Sequence, residues 1–458
     1  MDAIYSLAKN VINTDYESLP PEVVAATKRL ILDTVATGLG GSAREGVREL
    51  VDIFSDWAGK KESTVWVYGD KLPCVSAAQV NATMAHALDY DNSHDGTVLH
   101  TGVVAVPTTF AIAERVGRVD GKMIITAVAL AVDLTAKLCL ANTVSVFERG
   151  WHYTTLHGNF NAAAIAGKLL GLDEETLVNA FGLAYHQAGG NYQALHDGAL
   201  AKRAGPGFSA RNGIISVLMA QKGITGAKNI LQGRDGLFNL YHRGDFNPEV
   251  LTANLGEHFE TVNLSFKPYP CCRGSHTAID ATLALVREHR IKPEDVANVT
   301  VHVGKGIMEL LCEPLSGKQN PSTVVDAQFS IPWVVASAIA RCKVGVAEFT
   351  PQAIQDSTVL SLSNKVTPNS DVSLDRRASG PAIVEITTKA GNVYSERVDI
   401  PSGSPQNPMS MDAMVTKLRD CASIARSPMS EARIEKLVHM ISHLEMVENV
   451  IEVVRLLT

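Results

Sequence analysis

The residues best suited to proton-transfer chemistry lie close together in the first half of the chain. Seven of the 14 histidines fall between His86 and His196, in segments otherwise rich in Ala and Gly. The densest group is His86-Ala87-Leu88-Asp89-Tyr90-Asp91-Asn92-Ser93-His94-Asp95, followed by His100. Imidazoles change charge near neutrality and neighbouring carboxylates orient them, as general acid–base catalysis requires. The group therefore predicts a proton-transfer site.

Two other interpretations of this group stay open. One is a solvated loop, with histidines satisfied by hydrogen bonds at a helix end. The other is a metal site in which His94, Asp95 and His100 converge on Zn²⁺ or Mn²⁺. Their spacing matches no standard site, so we expect no metal.

Basic residues in two later segments are candidates for binding a small anion. Lys202 and Arg203 precede Gly205-Pro206-Gly207 at a predicted helix start, where backbone amides also favour an anion. A surface turn with solvated cations is the alternative. The second segment, 266–276, carries Lys267, Arg273 and His276 at a predicted domain boundary, where ligand sites are common.

Two features of these regions have a simpler packing interpretation. In Gly150-Trp151-His152, Trp151 could be a packing residue and His152 incidental. Cys271 and Cys272 are adjacent, which disfavours a disulfide between them, and we expect small pocket residues rather than nucleophiles.

Motifs of several other enzyme classes are absent from the sequence. It contains no GxxxxGK[ST], HExxH or GxSxG pattern. Gly38-Leu39-Gly40-Gly41 follows a predicted helix rather than a strand, so we reject a dinucleotide site there.

Periodicity predicts helices through the first half of the chain. One starts at Pro20-Pro21-Glu22, one at a capping box formed by Ser76 and Gln79, and one at Asp173. Frequent Ala and Gly allow close helix packing, so an all-helical domain is expected.

The pattern changes after Pro268. Alternation over 299–303 predicts a strand, and 383–387 with 393–398 predict a hairpin. Pro332 to Ala340 is helical in pattern, and helices return from Met411. The fold class is therefore mainly α with an α+β part: an all-helical domain over 1–265 and 404–458, and a smaller α+β domain over 266–403.

Composition excludes several function classes. The 458 residues carry 41 basic and 48 acidic side chains, so the net charge is 41 − 48 = −7, without the basic patch of a nucleic-acid binder. The longest strongly apolar run, Met123 to Val132, is too short to span a membrane. The start of the chain lacks a signal-peptide pattern, and seven scattered cysteines favour a reducing cytoplasm.

In this order the segments resemble the MmgE/PrpD family, which includes 2-methylcitrate dehydratase, cis-aconitate decarboxylase and iminodisuccinate epimerase. The resemblance runs nearly from end to end. The matching motifs are Leu19-Pro20-Pro21-Glu22-Val23, Leu32-Asp33-Thr34, His86-Ala87-Leu88-Asp89-Tyr90-Asp91, His100-Thr101-Gly102, Gly150-Trp151-His152, Gly167-Lys168-Leu169-Leu170-Gly171-Leu172, Lys202-Arg203, Lys267-Pro268-Tyr269-Pro270-Cys271-Cys272, His276-Thr277-Ala278-Ile279-Asp280 and Gln328-Phe329-Ser330-Ile331-Pro332.

The resemblance implies a homodimer without an organic cofactor, in which the smaller domain is a lid over an active-site cleft. By motif position it implies catalytic roles for one set of residues: Asp89, His100, His152, Lys202 and Lys267. It implies substrate contacts for a second set: Asp91, Ser93, Arg203, Cys272, Arg273 and His276.

The sequence also departs from the family's better-known lyases. Asn92 and Ser93 replace the Asp and Thr of the usual Asp-Asp-Thr. Cys272 stands where cis-aconitate decarboxylases carry a His, and Trp333 stands near a Tyr position. These departures weaken the case for cis-aconitate in particular.

The resulting hypothesis is a cofactor-independent lyase acting on a small di- or tricarboxylate. Lys202, Arg203, Lys267 and Arg273 would hold carboxylates, while His100 or His152 moves a proton and Asp89 orients an imidazole. An epimerase using the same residues and a non-catalytic carboxylate-binding homologue are the alternatives.

Overall fold

The structure is a computed structural model that describes residues 1–144, 148–376 and 380–458. The chain divides into two compact units. The first comprises Met1–Tyr192, Ala201–Leu264 and Ser410–Thr458, and the second comprises Gln193–Leu200 and Ser265–Met409. The predicted fold class, mainly α with a smaller α+β part, is confirmed.

The elements follow one another in a largely helical order. The α-helices are α1 Ile4–Asn13, α2 Pro21–Gly41, α3 Val47–Trp57, α4 Cys74–His86, α5 Gly102–Val116, α6 Gly121–Leu140, α7 Tyr153–Leu169, α8 Glu174–Tyr185, α9 Gln193–His196, α10 Ala201–Ala220, α11 Leu237–His242, α12 Glu249–Thr252, α13 His276–His289, α14 Lys305–Leu311, α15 Leu315–Gln319, α16 Val324–Gln328, α17 Ile331–Arg341, α18 Ser357–Ser363, α19 Met411–Ser423, α20 Glu431–Ser442 and α21 Ile451–Val454. The strands are β1 Ser63–Thr64, β2 Lys71–Leu72, β3 Ser93–His94, β4 Leu264–Ser265, β5 Val296–Val303, β6 Val366–Ser370, β7 Ala382–Thr388 and β8 Val393–Val398.

Helices α4, α7 and α10 pack closely in the first unit because glycines face neighbouring backbones. A Cβ added at Gly207 of α10 would come within 2.6 Å of the Gln79 carbonyl oxygen in α4. A Cβ at Gly213 would come within 2.7 Å of the Asn159 carbonyl oxygen in α7. This packing brings the C-terminal end of α4 to the N-terminal ends of α7 and α10.

Helix α6 is long and apolar enough to cross a membrane, with 20 residues and a mean hydropathy of 2.0. Its most apolar window is 89% buried within the fold, as is typical of a core helix. The apolar run predicted from the sequence stops before Asp133, but the helix continues to Leu140. Asp133 is accommodated there because it accepts a hydrogen bond from the Glu260 amide at 3.0 Å and lies 3.7 Å from Lys137.

The second unit contains a four-stranded sheet in the order β6-β5-β7-β8. Strands β5 and β6 are parallel, with Val299 opposite Val366, whereas β7 and β8 form the predicted antiparallel hairpin. Buried and exposed residues alternate along β7, so one face of this strand is in the core. The predicted strand at 299–303, the hairpin and the helix beginning near Pro332 are all confirmed.

Two local predictions are wrong. Helix α4 begins at Cys74, two residues before the predicted capping box, and Pro73 is its N-cap without a side-chain cap. Gly205-Pro206-Gly207 was predicted to lie at a helix start, but α10 already begins at Ala201, so these residues lie inside the helix and the surface-turn alternative is wrong as well. The helix keeps these residues because close packing there leaves no space for a Cβ at Gly207.

Candidate active site

The candidate site is built around Asp91, which follows the end of α4. Its carboxylate is fully buried and lies between two imidazoles. The Nδ1 atom of His86 lies 3.1 and 3.0 Å from its two oxygens, and Nδ1 of His100 lies 2.9 Å from Oδ2. Because both Nδ1 atoms face one carboxylate, Asp91 fixes the orientation of two histidines at once.

The electrostatics of this group favour a charged Asp91 carboxylate beside a neutral His86. Burial alone would raise the pKa of Asp91, but His86 and His100 outweigh it and hold that pKa well below its usual range. Burial lowers the pKa of His86 to about 4, although Asp91 offsets part of the effect. At neutral pH, ionised Asp91 therefore accepts a hydrogen bond from the Nδ1–H of neutral His86.

The remaining backbone and side-chain contacts position His100 more firmly. Its Nδ1 also lies 2.8 Å from the carbonyl oxygen of Asn92, and its amide donates to Thr154 Oγ1 at 3.0 Å. With Nδ1 held in this way, Nε2 is the ring atom available for a reaction.

His152 is the N-cap residue of α7 and lies beside the first two imidazoles. Its ring centroid is 6.0 Å from that of His86, and its Nδ1 is 2.7 Å from Thr155 Oγ1. Burial, followed by the charge of Lys202, lowers its pKa well below the ordinary value of a histidine. His152 is therefore neutral at pH 7 and able to accept a proton.

Lys202, in the first turn of α10, forms an ion pair with Asp89. Both side chains are buried, and Asp89 adopts a left-handed backbone conformation with φ of 50°. Asp89 was predicted to orient an imidazole, and that role stays a prediction. The structure shows Asp91 beside two imidazoles and Asp89 paired with Lys202.

Arg203 is buried next to this pair in sequence. Its Nη1 donates to the carbonyl oxygen of Glu45 at 3.0 Å, so part of its hydrogen-bonding capacity holds the backbone of the loop after α2. Burial, followed by the charge of Arg44, lowers the pKa of its guanidinium. A second cation close by makes this region favourable for an anion.

Four buried polar atoms of the same segment have no hydrogen-bond partner within the described residues. They are Nε2 of His86, Nδ2 of Asn92, Oγ of Ser93 and Nδ1 of His94. Buried polar groups are nearly always hydrogen-bonded, so unpaired ones at a candidate site indicate where a ligand could bind. Ser93 was predicted to contact substrate, whereas His86 received no role in the sequence analysis.

Asn92 has a structural function that explains an amide at this position. Its Oδ1 accepts hydrogen bonds from the Gly102 amide at 3.3 Å and from Thr101 Oγ1 at 3.5 Å, at the start of α5. The side chain thus connects the Asp91 segment to the next helix.

The metal alternative with His94, Asp95 and His100 does not match the structure. His94 Nε2 lies 3.1 Å from Glu260 Oε2, whereas His100 faces Asp91. A different group of possible ligands in the described residues, His86, Asp91 and His100, has its ligand atoms within 4.8 Å of one another. In this group, Nδ1 of each histidine lies at hydrogen-bond distance from the Asp91 carboxylate.

Four of the predicted site residues belong to the second unit. Lys267 is fully buried there. Arg273 donates to the Ser402 carbonyl oxygen and to Ser404 Oγ, both at 2.7 Å, and lies 3.1 Å from His276 Nδ1. The ring of His276 also contacts Tyr269, and Cys272 is buried beside them in sequence. Arg273 thus connects its own segment to residues 402 and 404 of the same unit, and the substrate contacts of this group stay predictions.

The segment before α7 agrees with the packing interpretation for Trp151. Its ring contacts Tyr241 at a centroid distance of 4.9 Å, and its Nε1 donates to the Tyr241 carbonyl oxygen at 3.1 Å. This anchoring fixes the chain immediately before His152.

No role was predicted for His86 because the sequence gives only a weak signal for it. His86 ends α4 and Asp91 follows five residues later, a spacing that brings them together only if the chain turns back. The left-handed conformation of Asp89 supplies that turn.

Comparison with known proteins places the chain in a family. Residues 5–249 match the MmgE/PrpD N-terminal domain and residues 269–443 match the MmgE/PrpD C-terminal domain. A cis-aconitate decarboxylase-like protein of Aspergillus oryzae is 27% identical, covering 96% of this chain and 94% of its own length. The cis-aconitate decarboxylase of Aspergillus terreus is 25% identical over 97% of this chain and 94% of its own, and the human enzyme is 25% identical over 94% and 89%.

The two domain matches together cover most of the sequence, and the relatives align over nearly their full lengths. The resemblance found in the sequence motifs is therefore confirmed, and the chain belongs to the MmgE/PrpD family.

Proposed function

We propose that this protein is a cofactor-independent lyase that acts on a small di- or tricarboxylate. The observation that carries the proposal is the buried group formed by Asp91, His86 and His100, with His152 and the Lys202–Asp89 pair beside it. Family membership and the cis-aconitate decarboxylase relatives support the lyase class.

His100 is the proposed base. Asp91 holds its Nδ1, which leaves Nε2 to remove a proton from the carbon next to a substrate carboxylate. A carboxylate behind the imidazole fixes the tautomer and stabilises the cation that forms, as in other carboxylate–histidine pairs. His152, which is neutral, is the proposed second proton carrier.

Lys202 is the proposed electrostatic partner of the reaction. Removal of the proton builds up negative charge on the substrate carboxylate, which becomes enolate-like. A buried ammonium is effective against such charge because little water screens it. Ser93 Oγ and Arg203 are proposed to bind the substrate's other polar groups.

The substrate class rests on charge and size rather than on one name. Relatives are cis-aconitate decarboxylases, but at 25–27% identity. Asn92 and Ser93, which replace the Asp and Thr of the family's better-known lyases, lie in the same segment as Asp91. A substrate different from cis-aconitate is therefore compatible with the same proton chemistry. In a dehydration, the enolate-like intermediate expels the β-hydroxyl group, which takes up a proton from an imidazolium and leaves as water. In a decarboxylation, the bond to carbon dioxide breaks in place of a C–H bond, and the carbon skeleton that keeps the electron pair takes up a proton from the imidazolium.

The decisive experiment incubates the purified protein with a panel of di- and tricarboxylates in deuterated water. The panel includes cis-aconitate, 2-methylcitrate and iminodisuccinate, and NMR follows the products. A new double bond or release of carbon dioxide from one of them supports the lyase proposal.

Other outcomes of this experiment contradict the proposal in defined ways. Deuterium incorporation with inversion and no bond cleavage identifies an epimerase. Binding of a panel member without any exchange or turnover identifies a non-catalytic homologue. His100→Gln removes the proposed base and should abolish turnover, and a variant that remains fully active would remove His100 from the mechanism.

A further inference from the structure

A buried ion pair between α2 and α19 lies next to the segment that carries the candidate site. Lys417 Nζ lies 2.6 Å from Asp33 Oδ1, and the two side chains are 2% and 0% exposed. Lys417 comes from the last part of the chain, 384 residues away from its partner. Neither residue touches the imidazoles through a contact described above.

The other hydrogen bonds of this pair go to the backbone on either side of Asp91. Lys417 Nζ donates to the carbonyl oxygen of Tyr90 at 2.6 Å, and its charge lies 3.9 Å from the centre of the Tyr90 ring. Asp33 Oδ2 accepts from the amide of Asn92 at 3.0 Å. The pair therefore holds the peptide groups immediately before and after the catalytic carboxylate.

Stability alone is a weak reason to bury such a pair. Removing two charges from water costs several kcal/mol per ion, and well-packed apolar residues often do as well or better. The distinctive feature of this pair is that its remaining hydrogen bonds go to the backbone of Tyr90 and Asn92. That backbone belongs to a turn that passes through the left-handed residue Asp89. A loop in that conformation keeps its geometry only when its surroundings hold it.

We infer that Asp33 and Lys417 are positioning residues that hold the 89–92 loop so that Asp91 lies between His86 and His100. The inference rests on the proposed function for its catalytic consequence. The positioning itself is independent of which substrate the enzyme uses. A displacement of about 1 Å at the reacting groups can lower a rate by about 100-fold.

The test uses three variants of the full chain: Lys417→Met, Asp33→Asn and the double variant. Lys417→Met removes the hydrogen bond to the Tyr90 carbonyl oxygen and leaves the charge of Asp33 buried without its lysine partner. Both stability and kcat should therefore fall. The double variant removes both charges, and the amide introduced at position 33 can still accept from Asn92. Its stability should recover, while kcat should stay 10- to 100-fold below the original and KM should change less.

Lys168→Met is the matched control for burial of a lysine. Lys168 is also buried in the first unit, and its Nζ donates to the carbonyl oxygens of Val11, Ile12 and Thr14. This variant should lose stability while kcat, measured well below its melting temperature, stays within twofold of the original. If Lys417→Met does not fold, the double variant carries the test alone.

A spectroscopic readout separates this inference from the proposed function. In ¹⁵N-histidine spectra, His86 and His100 should both appear as Nδ1–H tautomers, and the double variant should show a mixture with Nε2–H. If no carboxylate is turned over but the tautomers change, the proposed function fails and the positioning role stands. Unchanged imidazole signals, or a double variant with full kcat, would overturn the positioning role.

Discussion

Two carboxylates only two residues apart have different surroundings and therefore different roles. Asp91 accepts hydrogen bonds from two imidazoles, whereas Asp89 is paired with Lys202. The left-handed backbone at Asp89 sends the two side chains to different partners. The sequence shows that both residues are carboxylates, but which partner each one contacts depends on this one backbone dihedral angle.

At the level of single residues, Lys202→Met tests the proposed electrostatic role. We expect kcat/KM for the carboxylate that the panel experiment identifies as substrate to fall by roughly 10²–10³-fold, because a buried donor to developing negative charge is lost. Steady-state kinetics measure the effect. Lys222→Met, at an exposed lysine just beyond the same helix, is the control and should retain full activity.

A second residue-level prediction concerns pH and His157. This imidazole is fully buried beside His242, and burial followed by that neighbour lowers its pKa to about 3. The unfolded chain takes up a proton near pH 6.5 and the folded chain does not, so stability is lost as the pH falls below 6.5. At pH 5 this single group costs about 2 kcal/mol.

His157→Phe should remove that cost. Urea unfolding of the variant should show about 2 kcal/mol less loss of stability between pH 8 and pH 5 than the original protein shows. At pH 8, His157 is neutral in both the folded and the unfolded chain. A difference in unfolding free energy between the two proteins at that pH therefore reports only how the phenylalanine ring packs. Equal losses in the two proteins between pH 8 and pH 5 would contradict the prediction.

At the level of elements, the site depends on how closely helices approach. His86 ends α4, His152 caps α7 and Lys202 starts α10, so the chemistry lies where three helix ends meet. Small residues make this possible: glycines in α2 and α10 leave no space for a Cβ. The glycines at 38–41, which form a weak dinucleotide-like pattern in the sequence, are packing residues of α2.

Gly41→Ala tests this close packing. The added Cβ would overlap the carbonyl oxygen of Met84 in α4, so the free energy of unfolding should fall by about 2–3 kcal/mol. Denaturant unfolding measures the change. Gly189→Ala, where an added Cβ meets nothing within 4 Å, is the control and should stay within about 0.5 kcal/mol.

At the level of the whole molecule, buried cations need not be binding residues. Lys168 holds three carbonyl oxygens and Lys417 holds Asp33, although the chain as a whole has a net charge of −7. Arg273 likewise donates hydrogen bonds to Ser402 and Ser404 within the second unit. Burial of a lysine or arginine therefore does not by itself identify a substrate contact.

The first unit is completed by the end of the chain, because 410–458 belongs to it. A chain that ends at Met409 would leave Asp33 without Lys417 and would expose core positions that Leu418, Leu437 and Val453 cover. We expect it to lose cooperative thermal unfolding by circular dichroism. A chain lacking only the exposed Thr458 is the control, and a cooperative transition in the shorter chain would refute the prediction.

The sequence by itself determined the fold class, most elements and the residue types of the site. Apolar periodicity and strand alternation depend on nearby residues, so the helix from Pro21 and the 382–398 hairpin were predictable. The family motifs likewise lie in short stretches of chain and could be identified without a structure.

Only the tertiary structure decided which partner each side chain meets. The pairing of Asp33 with Lys417 spans 384 residues, and that of Asp89 with Lys202 spans 113. Burial then set which groups carry charge, since it holds His86 and His152 neutral while two imidazoles keep Asp91 ionised. Contacts over such distances depend on how helices pack, and no local pattern encodes that packing.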